Sequence, residues 1–268
     1  MAARRQRAVP YPQFEVIAQQ AGSENEMTTR ASTLSPLSIA RAAGGLYLTI
    51  IVLGLVGEFV VRGSLIARGD PDGTAANLVA GEGLLRFGFL ADSIVFMSDA
   101  AVAALLYVLL RPINRTVALA AAAFRLVQTA VLALNLLNQH SALLLVTDTP
   151  YAGLGLKERN ALAYLMLDQH AHGYDLGLLF FGVHCALVGY LIVKSTFLPS
   201  AIGVLLSAAA IVYVVGSYVH FLAPTLVEPV MPIYIVALVA EVALCGWLLV
   251  KGVDVRRWEA TRAVAALT

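Results

Sequence analysis

Long apolar segments alternate with short polar ones between about residue 42 and residue 250 of the chain. A bilayer core of about 30 Å is crossed by roughly 20 apolar residues in a helix. Six segments reach this length, and the polar stretches between them carry Gly, Pro and charged residues that end helices. The pattern therefore predicts an all-α transmembrane bundle with six spans, at 42–61, 84–110, 116–138, 173–193, 200–223 and 230–250.

The segments outside these spans divide the chain into three parts. Residues 1–38 are polar and are predicted to form a disordered cytoplasmic tail, 39–251 the six-helix transmembrane domain, and 252–268 a short cytoplasmic tail. No apolar run follows the basic start "RRQR", so we expect no cleavable signal peptide. The C-terminal "VDVRRWEATRAV" is basic and amphipathic, which fits either an anchor at the inner leaflet or a plain tail. The mixed-polarity piece from Leu156 to His172 is predicted to be helical, either extending the fourth span or lying along the surface.

The distribution of Lys and Arg indicates the orientation of the spans. With the N-terminus in the cytoplasm, twelve of the eighteen basic residues lie on the cytoplasmic side. The positive-inside rule therefore favours both termini in the cytoplasm. In this topology four basic residues lie in outer loops, and these are Arg62, Arg68, Lys157 and Arg159. The other two, Arg86 and Arg125, lie within spans.

The composition supports a membrane protein and narrows its partners. Hydrophobic residues make up 59% of the chain and charged residues 13%, whereas a soluble domain carries about 25% charged residues. We therefore expect the lipid bilayer to surround the protein. A net charge of +1 argues against a nucleic-acid partner. Cys185 and Cys245 both fall in apolar segments, so neither a disulfide framework nor a zinc-binding motif is expected.

Four ionisable residues from four predicted spans lie at one depth. Counted at 1.5 Å per residue from the cytoplasmic helix ends, each lies about 15 Å into the bilayer, near its midplane. They are Asp99, Arg125, His184 and Glu241. A second set, about 25–28 Å from the same ends, consists of Glu58, Asp92 and Asp175. An unpaired charge at such depth costs roughly 3 kcal/mol on insertion scales, so we expect these side chains to face the bundle interior.

Asp99 and Arg125 are the expected ion pair within the midplane layer. The second and third spans are joined by a short loop, so they must pack as antiparallel neighbours. Asp92 and Asp99 are seven residues apart on one face of the second span, and Gln128 and Asn135 share a face of the third in the same way. Buried pairs of this kind either fix helix register or belong to a functional site, and both interpretations stay open.

The stretch "LDQHAHGYDLGLLFFGVHC" is the most chemically suggestive part of the chain. His172 and Asp175 are three residues apart on one helix face, a spacing that suits a metal site or a proton relay. His184 faces elsewhere, so one helix cannot assemble a metal site alone. Candidate ligands on other spans are Glu58, Asp92 and His220. We predict no resident metal or cofactor, and we interpret His184 as a buried imidazole hydrogen-bonded to a neighbouring helix.

Three stretches of the chain carry a resemblance to a known family. They are "ARAAGGLYLTIIVLGLVGEFVVRG", "LLYVLLRPINRTVALAAAAFRLVQT" and "HGYDLGLLFFGVHCALVGYLIVKSTFLPSAIGVLL", and they resemble the bacterial integral-membrane family known as domain of unknown function 4386. The likeness covers roughly residues 38–250, and "LLRPINR", "FRLVQT" and "FFGVHC" are its most specific parts. It implies a multi-pass protein of the bacterial cytoplasmic membrane. The resemblance carries no reaction, cofactor or catalytic residue over to this chain.

Three functions remain open on this sequence. Charged residues at midplane depth favour a protein that binds or transports a proton, an ion or a small molecule. The same residues fit a structural or regulatory subunit without a ligand, or an intramembrane enzyme with a His/Asp site near the outer face. Six spans are few for a transporter, and a homodimer would compensate. The candidate ligand- or ion-binding residues are Asp92, Asp99, Arg125, Gln128, His172, Asp175, His184, Glu58 and Glu241.

Overall fold

The computed structural model describes residues 35–267, except the side chains of Thr149 and Pro150, and every regular element among them is helical. In chain order the helices are α1 (Pro36–Leu65), α2 (Pro71–Ala80), α3 (Glu82–Leu110), α4 (Arg115–Thr147), α5 (Leu156–Lys194), α6 (Ser200–Leu222), α7 (Pro224–Val250) and α8 (Val255–Ala265). All but α2 and α8 are long and apolar enough to cross a membrane. The prediction of an all-α polytopic bundle with six spans is confirmed.

The structure describes the two predicted tails only in part. Residues 1–34 lie outside the described residues, and with them nearly all of the predicted tail 1–38. The last residues of that segment belong to α1, which begins at Pro36. The predicted C-terminal tail 252–268 contains α8, so most of this short segment is helical.

The six long helices form a closed ring. Each packs against its neighbours in the chain, and α7 packs against α1 to close the circle. Short connections between consecutive helices make them antiparallel, so that every helix in the ring has two antiparallel neighbours. This arrangement turns one face of each long helix toward a common centre.

Local sequence signals set the helix ends. Asn114 caps α4 through a side-chain oxygen 3.0 Å from the amide of Val117, and Asp70 caps α2 in the same way. After α7 the chain turns at Gly252, whose φ of +69° is strained for other residues. Within α1, the stretch Val56–Arg62 forms a wider helical turn with π-type hydrogen bonding. This turn changes the direction in which the last residues of α1 point.

Glycines allow the closest helix contacts. A Cβ atom on Gly44 of α1 would lie 2.6 Å from the backbone nitrogen of Leu249 in α7. Likewise, a Cβ on Gly189 of α5 would lie 2.7 Å from the carbonyl oxygen of Gly203 in α6. These distances are far below van der Waals contact, so the ring closes through small residues, as in other membrane bundles.

The interior of the ring differs between its two ends. We call the end that carries the loops 111–114 and 195–199 together with α8 the basic end. There the core is apolar, and side chains such as Leu109, Leu191 and Leu248 are fully buried. Above this apolar half, toward the opposite end, polar and charged side chains enter the core.

α5 is one continuous helix from Leu156 to Lys194. The mixed-polarity piece therefore extends the fourth span, which was one of the two predicted alternatives. The extension packs against α2 and the turn before it: the Asn160 amide donates to Asp72 Oδ1 of α2 at 2.7 Å, and the Tyr164 hydroxyl accepts from the amide of Gly69 in the turn at 2.9 Å. α4 also continues past residue 138 to Thr147, because its last turns pack in the same layer.

Candidate functional site

Arg125 of α4 lies at the centre of the ring and has no solvent-exposed surface. Its Nε and Nη2 atoms donate to Asp99 Oδ1 of α3 at 3.0 and 2.6 Å. Its Nη1 atom lies 3.1 Å from His184 Nε2 of α5 and 3.5 Å from the Tyr47 hydroxyl of α1. The predicted ion pair between Asp99 and Arg125 is present, and the guanidinium joins four helices.

Two aromatic rings flank this guanidinium. The Cζ atom of Arg125 lies 4.8 Å from the ring centre of Tyr47 and 5.2 Å from that of Phe181. Both distances fall within the range of cation–π attraction, which is strongest where water is excluded. The two rings therefore add to the stabilisation of the Arg125 charge.

The second carboxylate oxygen of Asp99 is also bound. The Thr129 hydroxyl donates to Asp99 Oδ2 at 2.5 Å. The Gln128 amide nitrogen, in the orientation that satisfies its neighbours, lies 2.9 Å from the same oxygen. Gln128 was a sequence candidate, and it belongs to this cluster. Thr129 was missed, although it lies one turn after Arg125 on the same face of α4.

His184 uses both ring nitrogens. Its Nδ1 atom lies 2.8 Å from the carbonyl oxygen of Ala121, which can only accept, so Nδ1 carries the hydrogen. Nε2 then accepts from Arg125. This assigns a neutral imidazole to His184 and agrees with its interpretation as a buried side chain bound to a neighbouring helix.

Arg62 organises the second charged layer, which was predicted to contain Glu58, Asp92 and Asp175. Its Nε atom donates to Glu58 Oε2 at 2.9 Å, and Nη1 donates to Asp92 Oδ2 at 2.8 Å. The topology predicted from the sequence placed Arg62 in an outer loop. This is wrong, because Arg62 lies within helix α1, in the stretch Val56–Arg62. The wide turn at the end of α1 directs its side chain into the ring, where Gly57 leaves space beside it. Only 12% of the Arg62 side chain is exposed.

Asp175 lies apart from this layer. Its carboxylate Oδ2 lies 2.7 Å from Nδ1 of His220 in α6. His172 instead turns back to the carbonyl oxygen of Asp168, at 2.8 Å, and its ring meets the His220 ring edge-on. The predicted His172–Asp175 pair is therefore not formed, because the register of α5 and α6 brings His220 closer to the carboxylate. Among residues 35–267, no group of three His, Cys, Asp or Glu side chains is placed to hold a metal ion.

Glu241 of α7 completes the midplane layer. Its carboxylate accepts a hydrogen bond from the Tyr213 hydroxyl of α6. It makes no ion pair with any described residue, unlike Asp92 and Asp99. Tyr213 was not predicted from the sequence as a partner of Glu241.

A cavity of about 90 Å³ lies between the two charged layers. Glu241, Asp99 and Arg125 line it from one layer, and Arg62 and Asp92 line it from the other. The remaining polar walls are Gln128, Tyr174 and Tyr213, and the apolar walls include Ile50, Gly54 and Phe96. The structure thus brings five of the nine sequence candidates to one cavity, and these five are Asp92, Asp99, Arg125, Gln128 and Glu241. Of the other four, Glu58 and His184 are one contact away, whereas His172 and Asp175 form a separate cluster.

Six apolar helices around a buried polar centre define a polytopic membrane protein. The chain belongs to the family described as Domain of unknown function (DUF4386), whose model matches residues 42–252. This match extends from α1 to the end of α7 and confirms the resemblance seen in the sequence. α8 lies beyond it.

One curated relative extends the comparison to an archaeon. A protein of Archaeoglobus fulgidus named "Uncharacterized protein" is 26% identical to this chain over 159 residues, which is 59% of the chain and 80% of the relative. No solved structure matches the chain.

Proposed function

We propose that this protein binds and conducts protons, or a small cation, through the cavity at the centre of the ring. Glu241 carries the proposal: it is a carboxyl on the cavity wall that has no basic partner among the described residues. Ionisable side chains inside membrane helices are costly, and they mark ion pathways and proton relays in many membrane proteins. In this account Glu241 accepts and releases the transported proton.

The volume of the cavity limits what it can hold. Pockets for organic ligands typically measure about 300–1,000 Å³, whereas this cavity measures about 90 Å³. A water molecule needs only about 10–15 Å³ of such space and two to four polar partners, and the cavity offers both. The size therefore favours a few water molecules with a proton or a small ion over an organic substrate.

The charges around the cavity favour a cation over an anion. Asp92, Asp99 and Glu241 face Arg62 and Arg125 there, so the carboxyl groups outnumber the guanidinium groups by one. Arg62 is further neutralised by Glu58 from outside the cavity. An anion entering this space would meet unpaired negative charge in a medium of low dielectric constant, which is unfavourable.

The polar contacts suggest a route on one side and a closed barrier on the other. At the end of the ring opposite the basic end, where Glu58 is exposed, hydrogen bonds run from Glu58 through Arg62 to Asp92 at the cavity. On the far side, Arg125 and His184 are followed by the apolar core of the basic end. Conduction across the membrane therefore requires this apolar half to open, as in alternating access.

A structural role is the second candidate, and one observation favours it. Arg125 is fully buried and bound by Asp99, His184 and Tyr47 from three other helices. Such a group fixes helix register whether or not anything passes the cavity. An enzyme with His172, Asp175, Glu58 and Asp92 in one site has less support. Arg62 pairs with Glu58 and Asp92, whereas His220 pairs with Asp175.

We further propose that the protein lies in the bacterial cytoplasmic membrane with both termini in the cytoplasm. The basic end carries those of the counted basic residues that the structure describes, from Arg41 to Arg262, and in this proposal it faces the cytoplasm. The route through Glu58 and Arg62 opens toward the outside.

The test is proton flux in vesicles that contain the purified full chain and a pH-sensitive dye. A potassium diffusion potential, made with valinomycin, drives protons inward. We expect wild-type protein to acidify the vesicle interior and Glu241→Gln to fall to the rate of protein-free vesicles. Glu228→Gln is the matched control, because Glu228 lies in the same span but is exposed and away from the cavity.

Two results would overturn the proposal. One is a Glu241→Gln variant that folds normally and conducts like the wild type. The other is a wild type that carries no flux of protons, sodium or potassium under any imposed gradient, which would leave the structural role as the better account.

A further inference from the structure

A second concave surface lies at the basic end, far from the central cavity. It is a groove of about 490 Å³ between α8, the loop 111–114 and the end of α5. We call it the α8 groove, and its lining residues are Pro112, Ile113, Lys194, Thr196, Ala260, Thr261, Val264 and Ala265. Its volume falls in the range of about 300–1,000 Å³ that is typical of ligand sites.

The α8 groove combines apolar walls with positive charge. Its walls are mainly aliphatic, and Val264 is 64% exposed. Lys194 lines the groove and makes no ion pair with any described residue. Arg257 lies at the same wall, because its Nη1 atom donates to the carbonyl oxygen of Thr196 at 3.1 Å. Two cations therefore stand beside one apolar surface.

Neighbouring residues reinforce this charge. Arg111 precedes Pro112 in the loop that forms one wall, and Arg115 begins α4 directly after this loop. Asp254, the N-cap residue of α8, accepts from the Arg257 amide and pairs with its Nε atom, so it offsets part of the charge of Arg257 and leaves that of Lys194, Arg111 and Arg115. The groove is thus complementary to a ligand with a negatively charged head and an apolar body.

α8 is held firmly enough to form a wall. Trp258 is 4% exposed, and its indole nitrogen donates to the carbonyl oxygen of Leu109 at 2.9 Å. Asp254 caps the N-terminus of the helix. The segment is therefore docked on the bundle.

We propose that the α8 groove binds an anionic phospholipid. The phosphate group lies between Lys194 and Arg257, and an acyl chain follows the aliphatic wall formed by Ile113 and Val264. The groove lies at the ends of the membrane spans, which is the depth of the lipid headgroups. Basic pockets at this depth on the cytoplasmic side are known sites for anionic headgroups. This proposal does not depend on conduction through the central cavity.

The test measures lipid binding to the purified full chain in detergent by native mass spectrometry and by thermal unfolding. The probes are phosphatidylglycerol and phosphatidylcholine with the same acyl chains, and glycerol 3-phosphate as the free headgroup. We expect phosphatidylglycerol to bind and to raise the unfolding temperature, because a ligand of the folded state stabilises it. The other two probes should bind at least about fivefold more weakly, since one lacks net charge and the other lacks acyl chains.

Variants then place the lipid. Lys194→Gln should weaken phosphatidylglycerol binding about fivefold, the effect of one cation near a charged membrane surface, and Lys194→Gln with Arg257→Gln should weaken it further. Arg86→Gln is the matched control, because Arg86 is exposed, paired with Glu82, and outside the groove. If one variant is poorly folded, Val264→Asp tests the apolar wall instead and should also reduce binding.

Three results would overturn the proposal. Equal binding of phosphatidylglycerol and phosphatidylcholine would remove the role of charge. Binding of glycerol 3-phosphate as strong as that of the lipid would indicate a site for free phosphate compounds. Unchanged lipid binding in the double variant would place the lipid elsewhere.

Discussion

At the scale of single residues, Arg125 is the side chain on which the interior depends. It is fully buried and neutralised by Asp99. Removing one member of a buried pair leaves the other charge without compensation, whereas removing both can be nearly neutral. The arrangement around Arg125 therefore predicts strong coupling between the two residues.

Arg125→Met should lower the free energy of unfolding by about 3–5 kcal/mol, because Asp99 is left buried and unpaired. Asp99→Asn combined with Arg125→Met should recover a large part of this loss. The measurement is unfolding of each purified variant in mixed micelles with increasing denaturing detergent. A double variant as unstable as Arg125→Met alone would contradict the coupling.

The sequence predicted this pair because its determinants are local. A short loop forces α3 and α4 together, and counting along each helix gives a common depth. Arg62 could not be found in this way, because its inward direction depends on a wider turn within α1 that apolar patterning does not reveal. The pairing of Asp175 with His220 depends on the register between α5 and α6, which no spacing within one helix encodes.

At the scale of helices, small residues decide how closely the ring closes. Of the two glycines in "AGG" at 43–45, Gly44 packs against Leu249 of α7. Gly45 does not, because a Cβ there would meet nothing within 4 Å. Which glycine of the pair faces the partner depends on the rotation of α1, and only the structure supplies it.

Gly44→Ala should destabilise the protein by about 1–3 kcal/mol, because the added methyl group would push α7 away from α1. Gly45→Ala is the matched control and should be neutral or slightly stabilising, since alanine favours a helix over glycine. Thermal unfolding of both variants in the same detergent checks this. Equal losses in the two variants would show that the α1–α7 contact is not as close as described.

Helix lengths were predicted less well than helix number. The apolar criterion ended the third span at residue 138 and began the fourth at 173, whereas α4 ends at Thr147 and α5 begins at Leu156. The added turns are amphipathic and are held by α2, through contacts such as Asn160 with Asp72. Segments that are stabilised by a neighbouring helix at the membrane edge escape a criterion based on hydropathy alone.

At the scale of the whole molecule, the ring has an apolar half at the basic end and a polar half at the other. The sequence predicted six spans and a polar interior, but neither the closure of α7 on α1 nor the cavity. Both arise from contacts between residues far apart in the chain, which a pattern of spans does not specify.

The proposed orientation predicts which exposed positions face the cytoplasm. Both native cysteines are buried, so a new cysteine reports its own position. A membrane-impermeant maleimide should label Lys157→Cys in intact cells, and should label Glu259→Cys only after the membrane is permeabilised. Both residues are exposed. Labelling with the opposite preference would place the basic end outside.

The most direct test of the account fills the central cavity without touching its charges. Gly54 lines the cavity, and a Cβ there would meet nothing within 4 Å, so Gly54→Leu has room to enter the space. Gly45→Leu, in the same helix but outside the cavity, is the control. In the vesicle assay described above, we predict that Gly54→Leu loses proton or cation flux while Gly45→Leu keeps it. Wild-type flux through a correctly folded Gly54→Leu protein would contradict the account, because the ion would then bypass the cavity.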